Sequence, residues 1–138
     1  MISPERIHRI GARFVGSEFM ARFFYLLNRW LNSCHIHPAC KITKTTKFIH
    51  GGMGIVLNRN VQFGENVSIY QNVTIGNDGS GGNPRLGNNV TIFANSVVVG
   101  DITIGDNVVI GALTFVNKSL PPNTTWVGSP ARCVGGVK

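Results

Sequence analysis

From Leu86 onward an aliphatic residue returns every six positions: Leu86, Ile92, Val98, Ile104, Ile110 and Val116. Few folds tolerate so strict a step. An amphipathic helix wants apolar residues three and four apart, and a half-buried strand wants them two apart. A second phase lies four residues after each anchor, at Val90, Ser96, Ile102, Val108 and Thr114. Upstream, Leu57, Phe63, Ile69 and Ile75 keep the step with Val61, Val67 and Val73, and Ile36, Ile42 and Phe48 begin it. Three places after the anchors stand Asn60, Asn66, Asn72, Asp78, Asn89, Asn95, Asp101 and Asn107. Asn and Asp are the non-glycine residues that best accept a left-handed backbone. Short strand, Asn/Asp corner and inward residue make one side of a triangular prism. Three such sides close a coil of about eighteen residues, and stacked coils pair as parallel strands. The repeat therefore predicts an all-β chain wound as a parallel β-helix.

The register breaks twice. Phe48 to Leu57 spans nine residues instead of six, which puts a small bulge at His50-Gly51-Gly52-Met53-Gly54. Ile75 to Leu86 spans eleven and leaves five extra residues within 77–84. Insertions in a solenoid become surface loops, often on the binding face. Residues 1–33 have a different period: Ile7, Ile10 and Phe14, then Phe19, Phe23, Leu26, Leu27, Trp30 and Leu31, recur at helical spacing. One or two helices, broken near Gly11 to Ser17, are expected there. After Val116 the repeat ends, and Pro121-Pro122 forces an extended exit. The organisation expected is a helical segment (1–33), a β-helix catalytic domain (34–118) and a tail packed on the last coil (119–138).

The 138 residues carry 43% hydrophobic and 14% charged side chains, which suits one folded domain. The net charge of +7 favours anionic partners, and Arg6, Arg9, Arg13, Arg22 and Arg29 concentrate it near the start. No basic stretch interleaved with aromatics appears, so nucleic acid is not an expected partner. Cys34, Cys40 and Cys133 have neither even pairing nor metal-ligand spacing. Together with the lack of a secretory-type start and of any run near the ~20 apolar residues that cross a bilayer, they point to the cytoplasm.

Four motifs carry a resemblance over residues 36–135: Ile36-His37-Pro38-Ala39; His50 followed by Gly54-Ile55-Val56; Val67-Ser68-Ile69-Tyr70-Gln71-Asn72-Val73-Thr74-Ile75-Gly76; and Pro121-Pro122-Asn123-Thr124-Thr125 with Gly128-Ser129-Pro130-Ala131-Arg132. In these the chain resembles the serine acetyltransferase branch of the hexapeptide-repeat acyltransferases. The resemblance implies a left-handed winding, a homotrimer, and acetyl-CoA as co-substrate in a groove between neighbouring prisms. His50 matches the family's catalytic base. A hydroxyl is a poor nucleophile until a base removes its proton, and imidazole, with an ordinary pKa of about 6.5, suits that task at neutral pH. Coenzyme contacts are implied at Ala94, Gly111 and Ala112, with Lys118 and Arg132 for its phosphates. No metal is implied.

Two positions depart from that branch. His35 stands where the family has an aspartate that orients the base, and it enters the site as that aspartate's replacement, without its fixed negative charge. Gly82-Asn83 stand where an arginine-histidine pair reads the serine carboxylate. The chain also has no counterpart of the branch's large N-terminal helical domain or C-terminal extension. These departures shift the expected acceptor from serine to a hydroxyl of a sugar or polysaccharide precursor, as in short acetyltransferases of capsule, exopolysaccharide or lipopolysaccharide assembly. The loop residues Asn77, Asp78 and Asn83 are the candidate acceptor contacts. Serine O-acetylation in cysteine biosynthesis and a non-catalytic repeat scaffold are the alternatives. A γ-type carbonic anhydrase is disfavoured, because His35, His37 and His50 do not reproduce its three-histidine spacing and no histidine follows. Residues 1–33 have two readings: a cap on the first coil, favoured because solenoid ends must be covered, or a peripheral contact with the inner face of a membrane.

Overall fold

Strands of only two to five residues, separated by tight corners, follow one another from His35 to Gly136 in the computed structural model, which describes residues 3–136. They stack into three parallel sheets, the faces of a left-handed prism. The first face holds His35–Ile36, Val56–Leu57, Thr74–Gly76, Val97–Val99 and Phe115–Val116. The second holds Gln62–Phe63, Arg85–Leu86 and Thr103–Ile104, extended by single bridges at Lys41 and Leu120. The third holds Lys47–Phe48, Ser68–Ile69, Thr91–Ile92, Val109–Ile110 and Thr124–Val127, and ends on the antiparallel strand Arg132–Gly136.

The pairing register reports the insertions directly. Val56 pairs with Thr74 and Thr91 with Val109, one regular coil apart. Lys47 pairs with Ser68, three residues further on, because that step crosses the His50 bulge. Thr74 pairs with Val97, five further on, because that step crosses residues 77–83. Both insertions are absorbed at corners, so the inward residues stay in phase. Ile69, Ile75, Ile92, Val98, Ile104, Ile110 and Val116 are wholly buried, as are Val67, Val73, Val90 and Val108 of the second phase. Ser96 and Thr114 are buried too, and both hydroxyls donate to the Gly111 carbonyl, at 2.8 and 2.7 Å.

Asparagines make two of the three corners. Asn66, Asn89, Asn107 and Asn123 all have φ between 56° and 60°, and their side chains form a ladder in which each Nδ2 donates to the next Oδ1 at 3.3, 3.0 and 2.8 Å. Asn72 and Asn95 do the same at the corner between the third and first faces, at 3.1 Å. The expectation that every Asn/Asp of the series is left-handed fails at Asn60, Asp78 and Asp101. They belong to the corner between the first and second faces, where Gly100 rather than Asp101 takes positive φ. Asp101 instead accepts from Arg85 at 2.8 Å.

Residues 4–32 form α1 (Pro4–Ala12) and α2 (Glu18–Asn32), separated by the turn around Gly16. The pair covers the first coil with small and polar contacts. His8 Nε2 donates to the Cys40 carbonyl at 2.8 Å, Asn28 Nδ2 donates to the Pro4 carbonyl at 3.0 Å, and Asn32 Nδ2 to Asn28 Oδ1 at 2.9 Å. Gly11 lies so close to Phe24 that a Cβ there would stand 2.7 Å from the Phe24 Cβ. Beneath them the Cys34 and Cys40 thiols are buried and pushed up to about 11 and about 12, which keeps them protonated.

Burial holds the His8 pKa below its ordinary value, a drop reinforced by nearby Arg9 and His37 and opposed by the Cys40 carbonyl. His37 is lowered as well, first by burial and then by Arg59 and His35. Below the unfolded histidine pKa of about 6.5 the unfolded chain binds protons that the folded chain refuses, so stability is full above that pH and falls on acidification. Thermal unfolding followed by circular dichroism should therefore show Tm dropping between pH 7.5 and 5.5. In His8→Leu that slope should be shallower, whatever the variant's absolute Tm.

Candidate functional site

Inserting three residues at a prism corner gives His50 its position. Phe48 ends a strand of the third face, Ile55 precedes one of the first, and between them Ile49–Gly52 make a kinked turn that is non-helical at His50 and Gly51. The chain reverses there with His50 at φ 54° and Gly51, Gly52 and Gly54 at 66–68°. Such a run of left-handed residues is open to glycine and costly for anything else. Gly54 also caps the second asparagine ladder: a Cβ on it would overlap Asn72 Oδ1. At Gly52 a Cβ would meet Pro4 Cγ at 2.7 Å, so α1 packs directly on the loop. His50 itself is exposed on the edge.

Along the same edge the outward residues stack. The His50 ring meets Tyr70 edge-on at 5.9 Å between centroids, and Tyr70 lies against Phe93 at 4.6 Å. One rung on is Gly111, where a Cβ would stand 2.7 Å from Val127 Cγ1. Backbone bonds from Tyr70 N to Ile92 O, Phe93 N to Ile110 O and Gly111 N to Trp126 O hold the column. Rungs about 4.8 Å apart put Gly111 roughly 14 Å from His50. Ala94 lies beside Phe93, and its carbonyl accepts from Leu113 N at 3.0 Å. Ala94, Gly111 and Ala112 are thus gathered on the His50 edge, where small side chains leave room for an extended ligand, while the Gly111 N–H and carbonyl are already bonded to Trp126, Ser96 and Thr114. The other two coenzyme candidates stand apart: Lys118 Nζ lies 4.9 Å over the Trp126 ring, and Arg132 is exposed on the final strand.

His35 opens the first face, next to the loop. Gly54 N donates to Ser33 O and His35 N to Ile55 O, which ties the His50 loop to the start of that strand. The two imidazoles are not joined. Tyr25 Oη lies 3.3 Å from both ring nitrogens of His35, and among the described residues the His50 ring has no hydrogen-bond partner. From His35 an open groove of ≈ 290 Å³ runs across the first face past His37, Val56, Thr74, Arg59 and Asn77. A wider one on its flank, ≈ 500 Å³, adds Arg22, Tyr25 and Glu18 to His35, His37 and Arg59. Of the loop residues, Asn77 reaches the first groove. Asp78 accepts from Ser80 N at 3.0 Å and Ser80 Oγ at 2.5 Å, bonds that lower its pKa. Asn83 is buried with its Oδ1 unpaired.

Three residues of the site had no role in the sequence reading. Tyr70 is a repeat position whose stacking between His50 and Phe93 appears only once the coils are aligned. Arg59 sits in a corner that the motif pattern leaves unassigned. Leu113 takes φ 59°, an asparagine conformation, while 70% exposed at the end of the Asn72–Asn95 ladder beside Ala94. Among the described residues no three His, Cys, Asp or Glu side chains converge to hold a metal ion.

Residues 83–118 match the family model for the bacterial transferase hexapeptide (six repeats). A serine acetyltransferase of Helicobacter pylori is 40% identical over 84% of this chain and 69% of its own length. The crystal structure of the Neisseria gonorrhoeae serine acetyltransferase in complex with serine is 33% identical and superposes with a TM-score of 0.88 over 96% of this chain. That of the Brucella abortus enzyme in complex with coenzyme A is 28% identical, with a TM-score of 0.91 over 96%. The chain spans 55% of each crystallised protein, little more than half.

These relatives overturn the expected sugar acceptor and, with it, the expected place in polysaccharide assembly. The proteins that this chain matches along most of its length are named for serine. The sugar expectation rested on the missing cations at Gly82-Asn83. The missing pair does not decide the acceptor, because one cationic side chain, Arg59, reaches the first-face groove from another corner, beside His37.

The loop geometry separates two glycines that look alike in sequence. Gly51 has open space around its Cβ position, so Gly51→Ala should cost about 1 kcal/mol for its left-handed backbone alone. Gly54→Ala adds the overlap with Asn72 and should cost about 3 kcal/mol, read by urea denaturation. Equal costs would mean that the Asn72 ladder does not fix the loop.

Proposed function

The chain belongs to the serine acetyltransferase family of hexapeptide-repeat acyltransferases, and from that premise we propose that it transfers the acetyl group of acetyl-CoA to the hydroxyl of L-serine. The observation that carries this reading is the intact His50 loop on a scaffold matching the named serine acetyltransferases over most of its length. His50 takes the hydroxyl proton as the serine oxygen attacks the thioester carbonyl. The tetrahedral intermediate collapses by breaking the C–S bond, and the leaving thiolate recovers the proton from the imidazolium. Nothing is left on the enzyme, so the step is a direct transfer within a ternary complex. Ala94 and Ala112 offer backbone to the coenzyme along the His50 edge, Gly111 leaves room beside them, and Arg132 and Lys118, which stand apart from that edge, supply charge for its phosphates.

His50 stands on a prism edge rather than in a cleft, so a second wall must come from outside the single chain. We assign that wall to a neighbouring copy in a homotrimer. Acetyl-CoA as co-substrate places the reaction in the cytoplasm. His35, held by Tyr25, acts here as a neighbour of the base that shapes the acceptor groove. A serine carboxylate needs a cation that Gly82-Asn83 do not supply; Arg59, beside His37 and Asn77, supplies it.

Free-thiol release from acetyl-CoA should require L-serine and yield O-acetylserine by mass spectrometry. His50→Ala should lower kcat by about a hundredfold or more with an unchanged circular dichroism spectrum. Full activity in that variant would remove the mechanism, and no turnover with serine would remove the acceptor. Arg59→Ala should raise the KM for serine about tenfold while leaving that for acetyl-CoA unchanged.

A further inference from the structure

In α2 the apolar side and the buried side are opposite sides. Phe19, Phe23, Leu26 and Trp30 fall within one narrow stripe at about 100° per residue, yet they are 77, 50, 49 and 81% exposed. The side that meets the rest of the protein carries Ala21, Asn28 and Asn32. A helix laid on its own prism would turn the stripe inward, since burying such side chains is worth about 1.5–3 kcal/mol each. Here the inward contacts are made by asparagine hydrogen bonds and by Phe24 against Gly11, and of the stripe only Phe23 meets them, edge-on to Phe24. Ile10, Phe14 and Val15, at the end of α1 and in the following turn, add further exposed apolar surface.

Charge selects what covers this face. Arg22 and Arg29 are exposed and lie together on one flank of the stripe, about a quarter turn from its centre. Arg6 and Arg13 are exposed on the neighbouring helix and turn. From residue 3 to 33 five arginines stand against Glu5 and Glu18 alone. A second copy pairing antiparallel through the stripe would bring Arg22 and Arg29 against their own counterparts, a like-charge contact. A surface that is apolar at depth and anionic at its rim has no such conflict. No described helix is long and apolar enough to cross a membrane, which leaves a helix lying in the interface plane.

We propose that the Phe19-Phe23-Leu26-Trp30 face of α2 docks on an anionic phospholipid bilayer, its aromatic and aliphatic side chains inserted among the acyl chains and Arg22 and Arg29 at the headgroups. The enzyme is then a peripheral membrane protein whose catalytic edge stays in the aqueous phase. This docking is independent of the acceptor.

The full chain is tested on vesicles of phosphatidylcholine alone and of phosphatidylcholine mixed with phosphatidylglycerol. In a Trp126→Phe background Trp30 is the sole tryptophan, and its emission should shift to the blue on the mixed vesicles and much less on the neutral ones. Phe23→Asp with Trp30→Asp should lower co-sedimentation about tenfold or more without changing the oligomeric mass by light scattering. Arg22→Glu with Arg29→Glu should remove the preference for the anionic vesicles, a change of about tenfold. Absence of binding to either vesicle overturns the proposal. So does binding that survives the two aspartates, which would be electrostatic adsorption without insertion. A fall in oligomeric mass in the aspartate variant with vesicle binding intact also overturns it and assigns the face to a second copy.

Discussion

Everything in this chain rests on its ability to turn a left-handed corner again and again without glycine at each one. A residue with a Cβ loses roughly 1–2 kcal/mol in that conformation, and asparagine recovers part of it through its side-chain amide. Where the corners stack, each amide donates to the next and accepts from the one before, so the Asn66–Asn123 column is a continuous hydrogen-bonded rod at the prism surface. The parallel strands are only two residues wide at most rungs. Without a rod fixing the corner, their few backbone bonds would hold the register poorly. The apolar interior supplies the driving force, and the asparagines decide which winding it stabilises.

The second, shorter ladder explains how the His50 loop can be inserted without disturbing the core. A solenoid absorbs extra residues only at corners, because a change within a face would slip every inward side chain outward. The three residues added around His50 occupy the corner of the shorter Asn72–Asn95 ladder, and Gly54 serves as its terminal rung. The loop is therefore rigid at one end for a reason unconnected with catalysis. At the other end of that ladder Leu113 holds the corner conformation without an amide and stands exposed beside Ala94. A column that needed only stability would have an asparagine there. A leucine offers apolar contact to whatever lies along the edge.

The core was readable in the sequence because an inward residue has one neighbourhood, the prism interior, and its chemistry reflects that alone. Ile69, Ile92, Ile110 and the intervening valines could be placed by counting. The corners were readable only in part. Asn60, Asp78 and Asp101 occupy the same step of the repeat as Asn66 or Asn107, yet their corner has another backbone geometry, and a hexad count treats all three corners as equal. The loop that holds His50 was located because its glycine-rich bulge broke the count, and the role proposed for His50 came from the resemblance. Tyr70 and Arg59 were not singled out, since their positions depend on which rungs the two insertions bring side by side. The acceptor was misread for a related reason: the absence of a cation at 82–83 says nothing about a cation arriving from another corner.

The helical segment shows the limit of periodicity most clearly. Spacing identified both helices and the break between them, and it identified the apolar stripe of α2. It could not say which way the stripe faces, because the same pattern describes a helix packed on protein and a helix packed on lipid. What distinguishes them is the chemistry of the opposite side. Asn28 and Asn32 are poor residues for a solvent-facing flank that needs charge, and good ones for an inner contact in which each amide finds a carbonyl. Asparagines seven and eleven places after Ala21 on one side, with arginines flanking the aromatics on the other, form a pattern that places the apolar stripe outward. In a chain whose charged residues are few, the siting of those arginines decides which surface the helix serves.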